Sequence, residues 1–223
     1  MNENFFIAWG AILLFDGLLF AGLTWAAKTG YTQHRARPPQ NPPIPPRLKL
    51  INTQLNNVLS LAIFGAYFYF LGERTLYSGW PGLTHFLGEV ICVLLLYDFM
   101  YYFFHRAMHV RSVMRYCHAV HHRVRSPLSN ESIFLHPLEN IGGLGLLILA
   151  IVILGPVSAI SFLAIFAIHS IINIIVHSNL NIPHPVFRLF NFWVAKHNVH
   201  HQRARNNYAS IFPFWDQAFG TSE

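Results

Sequence analysis

The sequence predicts an all-α integral membrane protein: a bundle of about five membrane helices with a cytoplasmic helical cap carrying clustered histidines. Three observations lead there. Hydrophobic residues make up 53% and charged residues 11% of the 223 positions, against about 25% charge in soluble domains, so much of the surface must face lipid. Several apolar runs are long enough to cross about 30 Å of hydrocarbon. Fourteen histidines stand beside nine Asp plus Glu, an imbalance that calls for a chemical reason.

Taken in order, Phe5 to Ala27 reads as a retained first span. Met1-Asn2-Glu3-Asn4 lacks the basic start of a signal peptide, and the run is too long for one. Asp16 within it is costly in lipid and should face other helices. Lys28 to Lys49 carries Lys28, Arg35, Arg37, Arg47 and Lys49 together with Pro38-Pro39 and Pro42-Pro43-Ile44-Pro45-Pro46. Prolines in that density exclude a helix interior, so an extended loop of polyproline character on the headgroups is expected.

Leu55 to Gly72 reads as a second span, Gly79-Trp80-Pro81-Gly82 as a breaker and Leu83 to about Phe104 as a third span. Ile141 to Val176, interrupted at Gly155-Pro156, suits a hairpin of two spans, the first of them short. With the N-terminus outside, five spans put every basic segment in the cytoplasm: 28–49, Arg106 to Arg125, and the tail with Lys196, Arg203 and Arg205. The net charge of +6 therefore reads as membrane orientation, not nucleic-acid binding. Cys92 and Cys117 form neither a CxxC nor a disulfide framework and read as packing residues.

Histidine spacing carries the chemistry. His105-Arg-Ala-Met-His109, His118-Ala-Val-His121-His122 and His197-Asn-Val-His200-His201 form three boxes. At this histidine frequency an HxxHH pattern is expected about 0.05 times in the chain; it occurs twice. Residues three or four apart share a helix face, so each box can aim two imidazoles at one point. The adjacent third histidine points about 100° away and can serve a neighbouring ion. Eight histidines from three helices would supply two metal ions. Imidazole suits iron, zinc, copper and nickel. A zinc hydrolase usually places a glutamate in HExxH, whereas Arg106, Ala107 and Met108 hold no carboxylate, and structural zinc takes four ligands. The donor set favours a di-metal redox centre.

The sequence at this point resembles the fatty acid hydroxylase/sterol desaturase superfamily of membrane di-iron enzymes. The resemblance rests on the three boxes, on Asp98 before the first, on His136-Pro137-Leu138-Glu139 after the second, and on His177-Ser178-Asn179-Leu180 with Pro183. Asn207-Tyr208 and Trp215-Asp216-Gln217-Ala218-Phe219-Gly220-Thr221 match its closing motifs, except that Ala209 replaces a glycine, which should perturb a turn. The match runs from about residue 90 to the C-terminus. It implies His177 as a ninth ligand beside His105, His109, His118, His121, His122, His197, His200 and His201. It also implies a division into 1–82, N-terminal membrane helices and proline-rich loop, and 83–223, a hydroxylase-like catalytic domain.

By the same resemblance, two iron ions with O2 as co-substrate would hydroxylate or desaturate a C–H bond of a lipid such as a sterol or fatty acyl chain. The sequence holds no flavin, nicotinamide or haem motif, so electrons would come from a separate ferredoxin or cytochrome b5-type donor. Asp98, His136, Glu139 and Asn173 are candidates for an outer layer around the ligands: Asp98 as an imidazole acceptor or a satisfied polar group, His136 and Glu139 as partners or braces of the ligands or as loop structure, Asn173 as a weak ligand, a group acting through water or an open position for oxygen. His169 reads as a core or channel histidine; His34, His85 and His184 as surface groups; Asp216 as a brace of the C-terminal fold. Two rivals remain: a zinc-dependent membrane hydrolase, for which Glu139 is the nearby base, and a non-catalytic lipid-binding scaffold.

Overall fold

The structure is a computed structural model describing residues 1–29, 32–36 and 44–223. The described residues are mostly helical, with one two-stranded sheet. Among them four helices are long and apolar enough to cross a membrane: α1 (Glu3–Lys28), α4 (Leu83–Met108), α6 (Pro137–Leu154) and α7 (Ala159–Val176). Their ends follow local chemistry. The Asn2 side chain accepts the Phe5 N–H at 3.1 Å to start α1, and Lys28 lies at its C-terminal, negative dipole end. Pro137 occupies the first turn of α6, where its missing N–H costs nothing, and the Ser158 hydroxyl accepts the Ser161 N–H at 3.0 Å to open α7.

The expected break at Gly155-Pro156 separates α6 from α7, but the two helices are equal, 18 residues each. The aromatic cluster of Phe5, Phe64, Tyr67, Phe68 and Phe162 fills one end of the core. Ile7, Leu14, Leu18 and Trp25 on α1 remain exposed, as a lipid-facing surface requires. Asp16 turns inward, buried within reach of Ser170 on α7.

The second expected span differs. Helix α2 (Pro46–Phe70) starts nine residues before Leu55, because Pro46 at the first position is pre-set for a helix. Arg47 and Lys49 thus belong to a helix and not to the loop, while the polyproline reading of residues 37–43 lies outside the described residues. The first half of α2 is polar, so α2 is not among the four apolar spans. Those polar groups bind a loop: Asn52 and Asn56 donate from Nδ2 to Leu135 O, both at 3.0 Å, and Lys49 pairs with Glu131 at 2.7 Å.

A short helix α3 (Gly72–Thr75) leads into β1 (Leu76–Tyr77), which pairs in parallel with β2 (Val157–Ser158) at the end of the bundle away from the histidines. Helix α4 packs on both α6 and α7, α1 on α7 and α2 on α6. Gly142 permits the α4–α6 approach, since a Cβ there would run into the Phe104 ring. Beyond α4 come α5 (Arg111–Val113), the irregular segment to Arg123, and, after α7, α8 (Arg188–Arg203) and α9 (Phe214–Ala218). All of these gather at the histidine end.

Candidate metal centre

Nine histidines converge in two groups. His105, His109, His118, His122 and His200 form one; His121, His177, His197 and His201 form the other. Within each group one ring nitrogen per residue lies within 4.8 Å of all the others. Two nitrogens bound to one ion at about 2.1 Å sit about 3.0 to 4.2 Å apart, so the spread is close to that of a filled site. These are the nine positions named from the sequence and its resemblance.

The helical geometry expected of the boxes holds in part. His105 is in the last turn of α4 and His109 caps it, and α8 carries His197, His200 and His201. The middle box departs from a regular helix: His118 closes a π-turn over Met114–His118, and His121–Arg123 is a 3₁₀ turn. The adjacent histidines nevertheless divide between ions as the 100° rotation requires: His122 joins the first group and His121 the second, while His200 joins the first and His201 the second.

Backbone carbonyls set the tautomers. Nδ1 of His105 donates to Tyr208 O at 2.8 Å, that of His200 to Asn206 O at 2.7 Å, and that of His201 to Val124 O at 2.7 Å. His177 donates to Asn173 O at 2.7 Å and His121 to Phe134 O at 3.4 Å. A carbonyl only accepts, so in each neutral ring Nδ1 carries the proton and Nε2 presents a lone pair. Those lone pairs face one another: Nε2 of His177 lies 3.3 Å from Nε2 of His121 and 2.8 Å from Nε2 of His197.

Protonation is a poor remedy. Burial lowers His109 and His177 to about 4 and His122 to about 3, and burial with the neighbouring imidazoles holds His118, His121, His197, His200 and His201 well below the ordinary value. Facing lone pairs that resist protons are the arrangement a bound cation satisfies. The residues therefore fit two metal ions, and the all-imidazole donor set suits a borderline transition metal.

The outer candidates separate. Glu139 Oε1 lies 3.0 Å from His118 Nδ1, both buried, and its Oε2 has no hydrogen-bond partner. Asp98 touches no imidazole, which corrects the acceptor reading: its carboxylate takes the backbone N–H groups of Ser210, Ile211 and Phe212 at 2.8, 2.9 and 2.7 Å. His136 accepts the Leu138 N–H at 3.2 Å, so it caps α6 and does not brace a ligand. Asn173 supplies its carbonyl to His177, and it also lines the cavity. Ala209 has no positive φ; the left-handed turn falls at Asn207, φ 59°, so the missing glycine disturbs nothing.

A cavity of about 80 Å³ opens onto His105, His121, His177 and His197 from between α4, α6 and α7. Tyr97 and Tyr101 line it from α4, His169 and Asn173 from α7, and Gly143 from α6. Tyr97, Tyr101 and His105 repeat every four residues, as do His169, Asn173 and His177, so each helix turns one face to the cavity. His169 Nε2 lies 3.0 Å from the Tyr97 hydroxyl. The cavity lining bears out the channel reading of His169, whereas its pairing with Tyr97 joins two helices distant in sequence and the five carbonyls carry no side-chain signature.

Residues 90–221 match the fatty acid hydroxylase family. Methylsterol monooxygenase 1 of Danio rerio is 33% identical over 145 residues, 64% of this chain and 48% of that protein. A putative methylsterol monooxygenase of Dictyostelium discoideum is 28% identical over 150 residues, covering 64% and 53%. A cholesterol 25-hydroxylase-like protein of Caenorhabditis elegans is 29% identical over 143 residues, covering 63% and 47%. The chain thus spans about half the length of the curated relatives it matches. No solved structure matches it. With the matched region extending from the first third of α4 through the closing motif and enclosing both histidine groups, the chain belongs to the fatty acid hydroxylase family.

Proposed function

We propose that the chain is a di-iron oxygenase that hydroxylates or desaturates a C–H bond of a membrane lipid, with O2 as co-substrate and electrons from a separate ferredoxin or cytochrome b5-type carrier. The observation carrying this reading is the pair of histidine groups whose Nε2 lone pairs converge beside one cavity. Iron bound there would supply the O2 activation and one-electron chemistry that no protein side chain offers.

The chain's own residues do the rest. The carbonyls hold five of the imidazoles in their ligating tautomer, α4, α6 and α7 wall the cavity, and their apolar outer faces leave lipid as the neighbouring solvent. Sterol-directed relatives favour a sterol or related lipid as substrate. The division of labour follows: 83–223 as the catalytic part, 1–82 as the helices that buttress it. The histidine end is placed in the cytoplasm, supported by the basic side chains near it, with Arg74 the one Lys or Arg at the opposite end among the described residues. Neither rival gains ground. Glu139 Oε1 is engaged by His118, itself one of the five-histidine group, and complete imidazole sets are not what a bare scaffold needs.

The test is metal content of the detergent-purified chain beside His121→Ala, followed by 18O2 turnover with a reductant and membrane lipid extract. Two irons per chain, fewer in the variant, and either label in a lipid or a new lipid double bond are expected. No stoichiometric metal after anaerobic reconstitution with Fe2+ refutes the reading.

A further inference from the structure

Resting on the di-metal reading above, we infer that the two ions are held by two separate scaffolds: a C-terminal strap anchored by Asp98 and Asp216 positions the five-histidine site, and the N-terminal helices position the four-histidine site. The observation is which segment supplies each carbonyl. In the five-histidine group the acceptors for His105 and His200 are Tyr208 O and Asn206 O, both in the strap. In the four-histidine group those for His121 and His201 are Phe134 O and Val124 O, in the loop after the middle box, and that for His177 is in α7.

Each segment has its own anchors. The Asp216 carboxylate accepts the N–H groups of Tyr208 and Ala209 at 2.7 and 3.2 Å, and Lys196 and the Thr221 hydroxyl reach it at 3.2 and 2.9 Å. Asp98 takes the next three N–H groups, Ser210 to Phe212. Both carboxylates are fully buried. Five consecutive backbone donors on two buried carboxylates form a rigid clamp, since charge-assisted bonds of this kind are short and strong. The Asn207 side chain adds bonds to Lys196 O and to the Glu223 backbone.

The other loop is tied to the N-terminal helices. Asn52 and Asn56 of α2 hold Leu135 O, Lys49 holds Glu131, and the Thr24 hydroxyl on α1 accepts the Asn130 N–H at 3.0 Å. Asp98 and Asn56 are therefore positioning residues acting through carbonyls on different ions. The closing Trp-Asp-x-x-Phe-Gly-Thr motif serves the five-histidine ion.

The experiment uses the full chain in detergent and Fe2+ alone as probe, added anaerobically and titrated against a chelator. His177→Ala, made together with His197→Ala, leaves the five-histidine site as the complete one, and His109→Ala, made together with His122→Ala and His200→Ala, leaves the four-histidine site as the complete one. Asp98→Asn puts an amide where a backbone N–H needs an acceptor. It is expected to weaken Fe2+ binding about 10- to 100-fold in the first background, the usual range for an outer partner of a ligand, with little change in the second. Asn56→Ala should show the reverse selectivity.

Global destabilisation would weaken both sites alike, so equal losses in the two backgrounds, or none in either, overturn the inference. Should Asp98→Asn fail to fold, Asn207→Gly keeps the left-handed backbone while removing the side-chain bonds, and it is expected to act in the same direction as Asp98→Asn. A wild type that takes up no Fe2+ refutes the metal reading itself, a result separate from loss of selectivity.

Discussion

Lowering the pH on the metal-free protein should unfold it across the range in which free histidine titrates. His177, held at about 4, and His122, held at about 3, remain neutral in the folded chain well below the unfolded value of about 6.5. Above that value both states are neutral and the shifts contribute nothing. Between about 6.5 and 4 the unfolded chain takes up protons that the folded chain refuses, so stability is lost as pH falls, at about 1.4 kcal/mol per pH unit for each histidine.

These two alone give about 2.7 kcal/mol per unit below the unfolded pKa. The other depressed histidines of the two groups act in the same direction. Against typical total stabilities of about 5 to 15 kcal/mol, one to two pH units suffice to unfold the apo form. The assay is thermal unfolding in detergent from pH 7.5 to 4.5, with and without Fe2+. Bound metal should raise the curve wherever the site remains filled. A metal-free melting temperature that stays flat from pH 7.0 to 5.0 would refute the argument that these imidazoles are buried neutral and facing one another.

Three further outcomes are expected. Glu139→Gln, which replaces the carboxyl group 3.0 Å from His118 Nδ1 with an amide, should weaken the five-histidine ion about 10- to 100-fold while leaving the other, read by chelator competition. Gly142→Leu should destabilise by about 1–3 kcal/mol, as overpacking does, because its Cβ would meet the Phe104 ring; Phe104→Ala should recover part of the melting temperature. Tyr97→Phe removes the hydroxyl facing His169 Nε2 and should cost about 1 kcal/mol in thermal unfolding with the metal count unchanged.

Much of this protein is written in local sequence. Apolar runs of the right length specify α1, α4, α6 and α7, because a helix alone satisfies its backbone in lipid, and Gly155-Pro156 marks the turn between the last two. The i, i+4 pairs His105/His109 and His197/His201 each end on a single ion, since one helical turn brings them to one face, and His118/His122 do the same across an irregular turn. Other features depend on partners distant in the chain.

Pro46 to Lys49 read as loop in the sequence but open α2, whose Asn56 and Lys49 take their partners Leu135 and Glu131 from more than 75 residues away. Asp98 shares a helix face with His105, yet its carboxylate turns to N–H groups over 110 residues later. The pairing of five of the imidazoles with carbonyls, and with it the tautomer that makes a ligand, has no residue-type code, because every residue carries the same carbonyl. Periodicity along one helix therefore determined which histidines could meet. Only packing between helices decided which backbone would hold them.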